Sequence, residues 1–129
     1  MLESHRARNP LATLAVQDRS TSRRLLFNAN AELCGRQTDN ERTELSGTSN
    51  GAVPLAFSGI HVISPRLLTM LTMLTGSGAF SIVDAYLTLA AQGEKILAFR
   101  ADEFYWRDLG KPENVAQAAK DVQAGTLLP

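Results

Sequence analysis

Short apolar runs alternate with helical stretches along this chain, and the alternation restricts the folds that it can adopt. Residues 11–16 form an apolar run between a proline and three polar residues, which is typical of a strand buried on both faces. Further strands are predicted at residues 53–63, 95–99 and 104–106. Strands that alternate with helices indicate an α/β domain.

Three helices are predicted from capping residues at both ends. Serine is a preferred N-cap, proline suits the first helical position, and glycine commonly ends a helix. The predicted start and stop residues are Ser64 and Gly76, Ser81 and Gly93, and Pro112 and Gly125. The first helix would take Ser64 as its N-cap and Pro65 as its first residue. In the second helix, Asp84 lies three residues after Ser81, which is close to a capping box.

A hairpin and a polar segment separate the first two long apolar runs. Residues 25–27 and 31–34 flank the turn-like triplet Asn28-Ala29-Asn30, and this pattern predicts a hairpin. Residues 36–52 are almost entirely polar and include two glycines. We therefore expect an exposed loop without regular structure over residues 36–52.

Length, charge and composition exclude several classes of protein. With 129 residues the chain has room for one domain with a core. Its formal net charge is zero and no aromatic residues alternate with the arginines of residues 1–24, so a nucleic-acid-binding surface is not expected. No stretch approaches the roughly 18 apolar residues of a membrane span. The single cysteine, Cys34, excludes an intramolecular disulfide and, with the polar N-terminus, favours a cytoplasmic protein.

Three segments carry most of the functional information: residues 57–65 (FSGIHVISP), 80–87 (FSIVDAYL) and 106–113 (WRDLGKPE). In this order and at these separations they resemble the second half of the sugar-phosphate nucleotidyltransferases. That family includes the mannose-1-phosphate guanylyltransferases and the uridylyltransferases that act on amino-sugar 1-phosphates. Residues 13–19 (TLAVQDR) are similar to the strand that precedes this region in those enzymes. The resemblance runs from about residue 2 to about residue 124.

The resemblance implies a fold and a reaction. The fold would be the C-terminal portion of a Rossmann-like α/β sandwich with a mixed sheet, and residues 1–129 would be a partial domain that binds the sugar phosphate. The complete enzyme would combine a sugar 1-phosphate with a nucleoside triphosphate and release pyrophosphate. The family's glycine-rich loop, base-recognising residues and first metal-binding aspartate are absent from the sequence. The chain is therefore expected to lack the nucleotide-binding half and to be inactive alone.

The resemblance also implies that Asp108 binds Mg²⁺. The aspartate of the family's Trp-x-Asp-x-Gly motif helps to hold the ion, and Asp108 occupies that position here. Mg²⁺ takes hard oxygen ligands, commonly one or two carboxylates together with substrate phosphates. The ion would neutralise the charge that builds as the sugar phosphate attacks the α-phosphate. From the residues alone, Asp108 could instead cap the turn through Leu109-Gly110.

Ser58, Gly59 and Asp84 are the substrate-binding residues that the resemblance implies. Ser58-Gly59 corresponds to a small residue and a glycine that lie against the sugar, where glycine allows a ligand to approach the strand closely. A bulge without a ligand is the alternative for this pair. Asp84 occupies a position that is acidic in many relatives, and its spacing from Ser81 suits helix capping equally well.

Other polar residues receive structural interpretations. His61 is interpreted as a packed or edge residue rather than a base, and Arg23-Arg24 as a solvated surface pair rather than a phosphate site. One departure from the family follows the hairpin, where many relatives have a Glu-Lys-Pro motif and this chain has residues 34–37 (CGRQ). This change favours the amino-sugar uridylyltransferase branch over the guanylyl- and thymidylyltransferases.

Two alternatives to a catalytic role remain open. The chain could be a non-catalytic binding or assembly module derived from the same fold, or the product of a truncated coding region. If the nucleotide-binding half is absent, residues 11–16 would lose the strands with which they pair. We then expect self-association through an exposed sheet edge.

Overall fold

The structure is a computed structural model that describes residues 1–45, 50–76 and 78–125. Its helices are α1 (Leu2–Arg8), α2 (Arg66–Thr75), α3 (Ile82–Ala91) and α4 (Pro112–Gln123). Its strands are β1 (Ala12–Gln17), β2 (Arg23–Phe27), β3 (Leu33–Thr38), β4 (Arg42–Glu44), β5 (Val53–Ile63) and β6 (Ile96–Arg100). The predicted α/β class is confirmed as a mixed six-stranded sheet with four helices among these residues.

The six strands form one curled sheet in the order β4-β3-β2-β5-β1-β6. β1 and β6 are parallel, and the other neighbouring pairs are antiparallel. The residues just before β3 return to β6, where Glu32 forms an antiparallel bridge with Leu97. The Ala98 amide also donates to the Ala31 carbonyl at 2.8 Å. These contacts bring the β2–β3 hairpin against the far end of the sheet.

β1 is an interior strand of the curled sheet, between β5 and β6. All six of its residues are buried, which confirms the prediction of a strand covered on both faces. It pairs with β5 on one side and with β6 on the other. The prediction that residues 11–16 form an exposed edge is therefore wrong, because both neighbouring strands come from later parts of the same chain.

β5 joins the two parts of the sheet and contains a bulge. Its first residues pair with β2 and the remainder pair with β1. Leu14 pairs with His61. Val16, two residues later on β1, pairs with Phe57, four residues earlier on β5. β5 therefore bulges between these pairs, where Gly59 has a φ of 77° that glycine adopts without strain.

α3 packs on the sheet over β3, and both of its ends match the predicted capping residues. The Ser81 side chain accepts a hydrogen bond from the Asp84 amide at 3.3 Å, which confirms Ser81 as the N-cap. At the other end, Gly93 has a φ of 95°. The Glu94 amide donates to the Leu89 carbonyl at 3.0 Å. This arrangement is a Schellman motif, in which glycine ends the helix.

α2 begins at Arg66 rather than at Pro65, so its predicted start is corrected by one residue. Ser64 does not cap the helix through its side chain. Its Oγ instead donates a hydrogen bond to the Pro10 carbonyl at 2.6 Å. The predicted end is confirmed, because Gly76 is the C-cap and has a φ of 67°.

The sequence analysis did not predict α1, which a buried histidine attaches to the sheet. His5 is 7% exposed, with Nδ1 at 2.9 Å from Thr13 Oγ1 and Nε2 at 3.2 Å from Ser64 Oγ. Since the Ser64 hydroxyl donates to the Pro10 carbonyl, its oxygen accepts from Nε2, and Nδ1 accepts from the Thr13 hydroxyl. Burial lowers the pKa of His5, in agreement with a neutral ring.

The polar segment after the hairpin is more regular than the sequence analysis predicted. β3 continues to Thr38 and pairs with β4, so the expectation of a structureless loop over residues 36–52 is wrong at its N-terminal side. The side chains on β4 are exposed, as polar residues at the end of a sheet should be. Residues 46–49 lie outside the described part of the chain.

Residues 104–106 do not form the predicted strand. The segment between β6 and α4 has neither helix nor strand, and side chains hold it in place. The Gln17 side chain donates to the carbonyls of Ala101 and Phe104, both at 2.9 Å. Hydrogen bonds from a side chain to main-chain carbonyls therefore hold this segment in place of the strand ladder that its aromatic composition predicted.

α4 starts at Pro112 and stops before Gly125, as predicted. None of its residues is buried, and Val115 and Val122 of its apolar face are exposed. No helix in the described residues is both long and apolar enough to cross a membrane.

Candidate functional site

A cavity of about 480 Å³ is bordered by the β2–β3 hairpin, the start of α3 and the segment after β6. This volume falls within the roughly 300–1,000 Å³ of typical small-molecule sites. Phe57, Asp84 and Trp106 line it together, and each comes from a different one of the three segments that resemble the nucleotidyltransferases. Residues that are far apart in the sequence therefore meet around a single cavity.

Positive charge dominates the lining of this cavity. Among the described residues, the charged side chains of the lining are Arg19, Arg23, Arg24, Arg36, Asp84 and Asp108. Four arginines against two aspartates leave a formal excess of two positive charges. Guanidinium groups bind phosphate and carboxylate oxygens through paired hydrogen bonds. The cavity is thus suited to an anionic ligand.

Arg19 is held in position by neutral groups. Its guanidinium lies over the Trp106 ring, 3.7 Å from the centroid. It also donates to the Phe57 carbonyl and to the Gln17 side chain, both at 3.2 Å. Burial lowers the pKa of Arg19, and the nearby Asp108 carboxylate opposes that change. Arg19 is therefore held by neutral hydrogen-bond partners, while the nearby Asp108 carboxylate partly balances its charge.

Trp106 fixes the bulge of β5 and lines the cavity. Its Nε1 donates to the Ser58 carbonyl at 2.8 Å, so it satisfies a main-chain group that the bulge leaves outside the regular ladder. The neighbouring Tyr105 and Arg107 instead bind Asp121 of α4, at 2.6 and 2.9 Å. Side chains on either side of Trp106 therefore attach this segment to two different parts of the fold.

Asp108 lines the cavity and also caps a turn. Its Oδ1 accepts a hydrogen bond from the Gly110 amide at 2.9 Å, which confirms the turn role that the residues alone allowed. The described residues include no group of three or more His, Cys, Asp or Glu side chains that could hold a metal ion.

Asp84 pairs with an arginine from the hairpin. Its Oδ1 lies 2.9 Å from Nη1 of Arg36, while its main-chain amide is capped by Ser81. Both side chains also line a second cavity of about 370 Å³ on the other side of the pair. The ion pair therefore stands where the two cavities meet.

Ser58 and Gly59 lie at the bulge and are not among the described residues that line the larger cavity. Gly59 has the positive φ of a bulge, and the Ser58 side chain is buried. Within the described residues, Ser58 Oγ has no hydrogen-bond partner. The structure thus supports the bulge interpretation for the backbone, and a sugar contact by this pair stays a prediction.

His61 is packed against two aromatic rings. Its Nδ1 is hydrogen-bonded to the Tyr86 hydroxyl, and its ring forms edge contacts with Phe57 and Tyr86 at centroid distances of 5.9 and 5.7 Å. Burial raises the pKa of Tyr86 and lowers that of His61. His61 is nevertheless exposed on β5, so this environment matches the interpretation of His61 as a packed or edge residue on a strand.

The sequence analysis missed the cluster of cavity arginines. It interpreted Arg23-Arg24 as a solvated pair and assigned no role to Arg19 or Arg36, whereas all four line the cavity. The pairing register of the β2–β3 hairpin indicates which of these arginines lie together. Leu25 pairs with Arg36, and directly opposed residues share a face, so Arg23 and Arg36 lie on the same face of the hairpin.

Comparison with known proteins gives no family for this chain. No protein-family model matches it, and no curated protein matches its sequence. The cavity and the residues that line it are therefore the features of this chain that point to a function.

Proposed function

We propose that this chain is the sugar-phosphate-binding part of a nucleotidyltransferase that forms nucleotide sugars. The observation that carries the proposal is the meeting of Phe57, Asp84 and Trp106 around one arginine-rich cavity. These residues belong to three segments whose order resembles the family. The curled mixed sheet would then be the C-terminal portion of a Rossmann-like α/β sandwich, in a cytoplasmic protein.

The charge of the cavity supports a phosphate ester as its ligand. A sugar 1-phosphate carries a phosphate that arginines can bind in pairs of hydrogen bonds. Arg19 and Arg24 are well placed, because one is stacked on Trp106 and the other donates to the Arg19 carbonyl at 3.3 Å. Side chains that are already held in place lose less conformational entropy when a ligand binds.

In the proposed reaction, a phosphate oxygen of the sugar 1-phosphate forms a bond to the α-phosphorus of a nucleoside triphosphate. The bond from that phosphorus to the bridging β-phosphate oxygen breaks, and pyrophosphate leaves. Mg²⁺ supplies charge neutralisation in such transfers. Proteins commonly bind Mg²⁺ through one or two carboxylates, and substrate phosphates and waters complete the coordination. Asp108, which lines the cavity, would be one such carboxylate. This chain would contribute the binding site for the sugar 1-phosphate and one carboxylate.

Calorimetric titration with a panel of sugar 1-phosphates tests the proposal. We expect saturable binding of at least one amino-sugar 1-phosphate and none of the corresponding free sugar. Replacing Arg19 with Gln should weaken binding about tenfold or more, because a charge-assisted hydrogen bond is worth about 1.5–3 kcal/mol. Arg6→Gln, on exposed α1 and outside the cavity lining, is the matched control and should bind normally.

Two outcomes would contradict the proposed function. If no sugar 1-phosphate binds, the cavity is not a sugar-phosphate site and the proposal fails. If sugar phosphates bind but a protein joined to a nucleotide-binding half shows no pyrophosphate release, the non-catalytic binding module becomes the better description.

A further inference from the structure

The Arg36–Asp84 ion pair stands at the junction of two cavities. Both residues line the cavity of about 480 Å³ and the cavity of about 370 Å³. Arg36 is carried by β3 and Asp84 by the first turn of α3. Since the backbones of both residues belong to regular elements, side-chain rotation is the simplest way to open the pair.

Arg36 has a different kind of partner from the other arginines with contacts at this cavity. Arg19 and Arg24 donate to carbonyl groups, and Arg19 also stacks on Trp106, so neither contact compensates their charge. Arg36 donates to the Asp84 carboxylate at 2.9 Å. Among the described arginines of the cavity lining, Arg36 is the one that forms an ion pair with a carboxylate.

The pair is exposed enough to exchange partners readily. The side chains of Arg36 and Asp84 are 50% and 66% exposed. Ion pairs at such positions contribute little to stability, because solvent screens them. A phosphate monoester offers more negative charge than a carboxylate and can accept two parallel hydrogen bonds from a guanidinium, whereas Asp84 is paired with Arg36 through one oxygen. Phosphate is therefore the stronger partner for Arg36 once it enters the cavity.

We infer that Asp84 acts as an internal competitor for the ligand: it holds Arg36 in the empty cavity and releases it to the phosphate group of the bound molecule. The inference rests on the proposed function, because it takes the ligand to be a phosphate monoester. Asp84 then sets affinity by competition. This role is opposite in sign to the substrate contact that the family resemblance implies for Asp84.

The two roles predict opposite effects for Asp84→Asn. The variant keeps the size of the side chain, and the helix cap survives because it uses the Asp84 main-chain amide. It removes the charge that competes for Arg36. We expect sugar 1-phosphate and inorganic phosphate both to bind about threefold to fivefold more tightly, which corresponds to the weak pair that is lost. A residue that contacts the sugar would instead weaken sugar 1-phosphate binding when changed.

Calorimetric titrations of the full chain with a sugar 1-phosphate and with inorganic phosphate test the inference. Arg36→Gln should weaken the binding of both ligands about tenfold. The double variant should bind like Arg36→Gln alone, because Asp84 then has no arginine to withhold. Glu3→Gln on α1, which also removes one exposed negative charge, is the control and should leave both affinities unchanged. Titrations at about 0.15 M salt limit general charge effects, since the Debye length is then about 8 Å.

The outcomes separate this inference from the proposed function. Tighter binding by Asp84→Asn that disappears in the Arg36→Gln background supports the competition. Unchanged or weaker binding by Asp84→Asn, with the wild type still binding sugar 1-phosphate, overturns the competition and leaves the proposed function standing. Absence of phosphate-ester binding in the wild type and in Asp84→Asn overturns both.

Discussion

Replacing His5 with alanine tests the buried network that attaches α1 to the sheet. The imidazole is bonded to the hydroxyls of Thr13 and Ser64, and Thr13 is 1% exposed. Ser64 keeps its bond to the Pro10 carbonyl, so the main loss falls on Thr13. An orphaned buried hydroxyl costs about 1–3 kcal/mol, and the space left by the ring adds about 1–2 kcal/mol. We expect the free energy of unfolding to fall by about 2–5 kcal/mol.

Urea denaturation at pH 7.5 measures this loss, and a double-mutant cycle locates it. Thr13→Val removes the hydroxyl that His5→Ala would leave without a partner. The His5→Ala cost should therefore be smaller in the Thr13→Val background than in the wild type, by roughly 1 kcal/mol or more. Equal costs in the two backgrounds would show that the network does not stabilise the fold through Thr13.

The same network makes stability depend on pH. Burial lowers the pKa of His5 below its ordinary value of 6.5, so the unfolded chain binds more protons once the pH drops below that value. The contribution of His5 is complete above about pH 6.5 and is lost as the pH falls through the folded-state pKa. Burial lowers the pKa of His61 in the same direction. Unfolding curves of His5→Gln and His61→Gln separate the two, and each should be less sensitive to acid than the wild type.

Three further predictions concern the site and the bulge. Asp108→Asn keeps an oxygen that accepts from the Gly110 amide, so the fold should persist. In a protein joined to a nucleotide-binding half, the Mg²⁺-dependent turnover of this variant should fall on the order of a hundredfold. Unchanged turnover at limiting Mg²⁺ would mean that Asp108 only caps the turn. The 129-residue chain alone should release no pyrophosphate from any common nucleoside triphosphate with Mg²⁺ and sugar 1-phosphates, and clear turnover would contradict the half-enzyme proposal. Gly59→Ala should destabilise the fold by about 1–2 kcal/mol through its φ of 77° alone, since a Cβ there meets nothing within 4 Å. Gly78→Ala, where an added Cβ is equally unobstructed and φ is not in that range, is the control and should have little effect in urea denaturation.

Local sequence patterns predicted most of the elements of this fold. The six buried residues of β1, the N-cap Ser81 and the glycine ends at Gly76 and Gly93 all depend on neighbours within a few residues. Such signals are readable because capping and periodicity are local properties. α1 was missed because its attachment depends on His5 reaching Thr13 and Ser64, and the second of these lies 59 residues away.

The candidate site was only partly predictable for the same reason. Asp84 and Asp108 were selected from the resemblance, and both line the cavity. The arginines were not selected, because a surface arginine and a cavity arginine look alike until strand register is known. The side-chain contacts of Trp106 were also hidden, since its segment has the composition of a strand. Tertiary contacts of the bulge and of Gln17 override that local preference.

The position of β1 between β5 and β6 has a consequence for the order of folding. β1 pairs with two strands that are synthesised much later, β5 from residue 56 onwards and β6 at residues 96–100. The β2–β3 hairpin, in contrast, forms from residues that are neighbours in the sequence. Contacts between distant parts of a chain close slowly, because a long loop must be ordered first. Arg19 follows β1 and Trp106 follows β6, so their stacking is completed only after this late step. Recovery of ligand binding during refolding should therefore trail the recovery of hairpin structure.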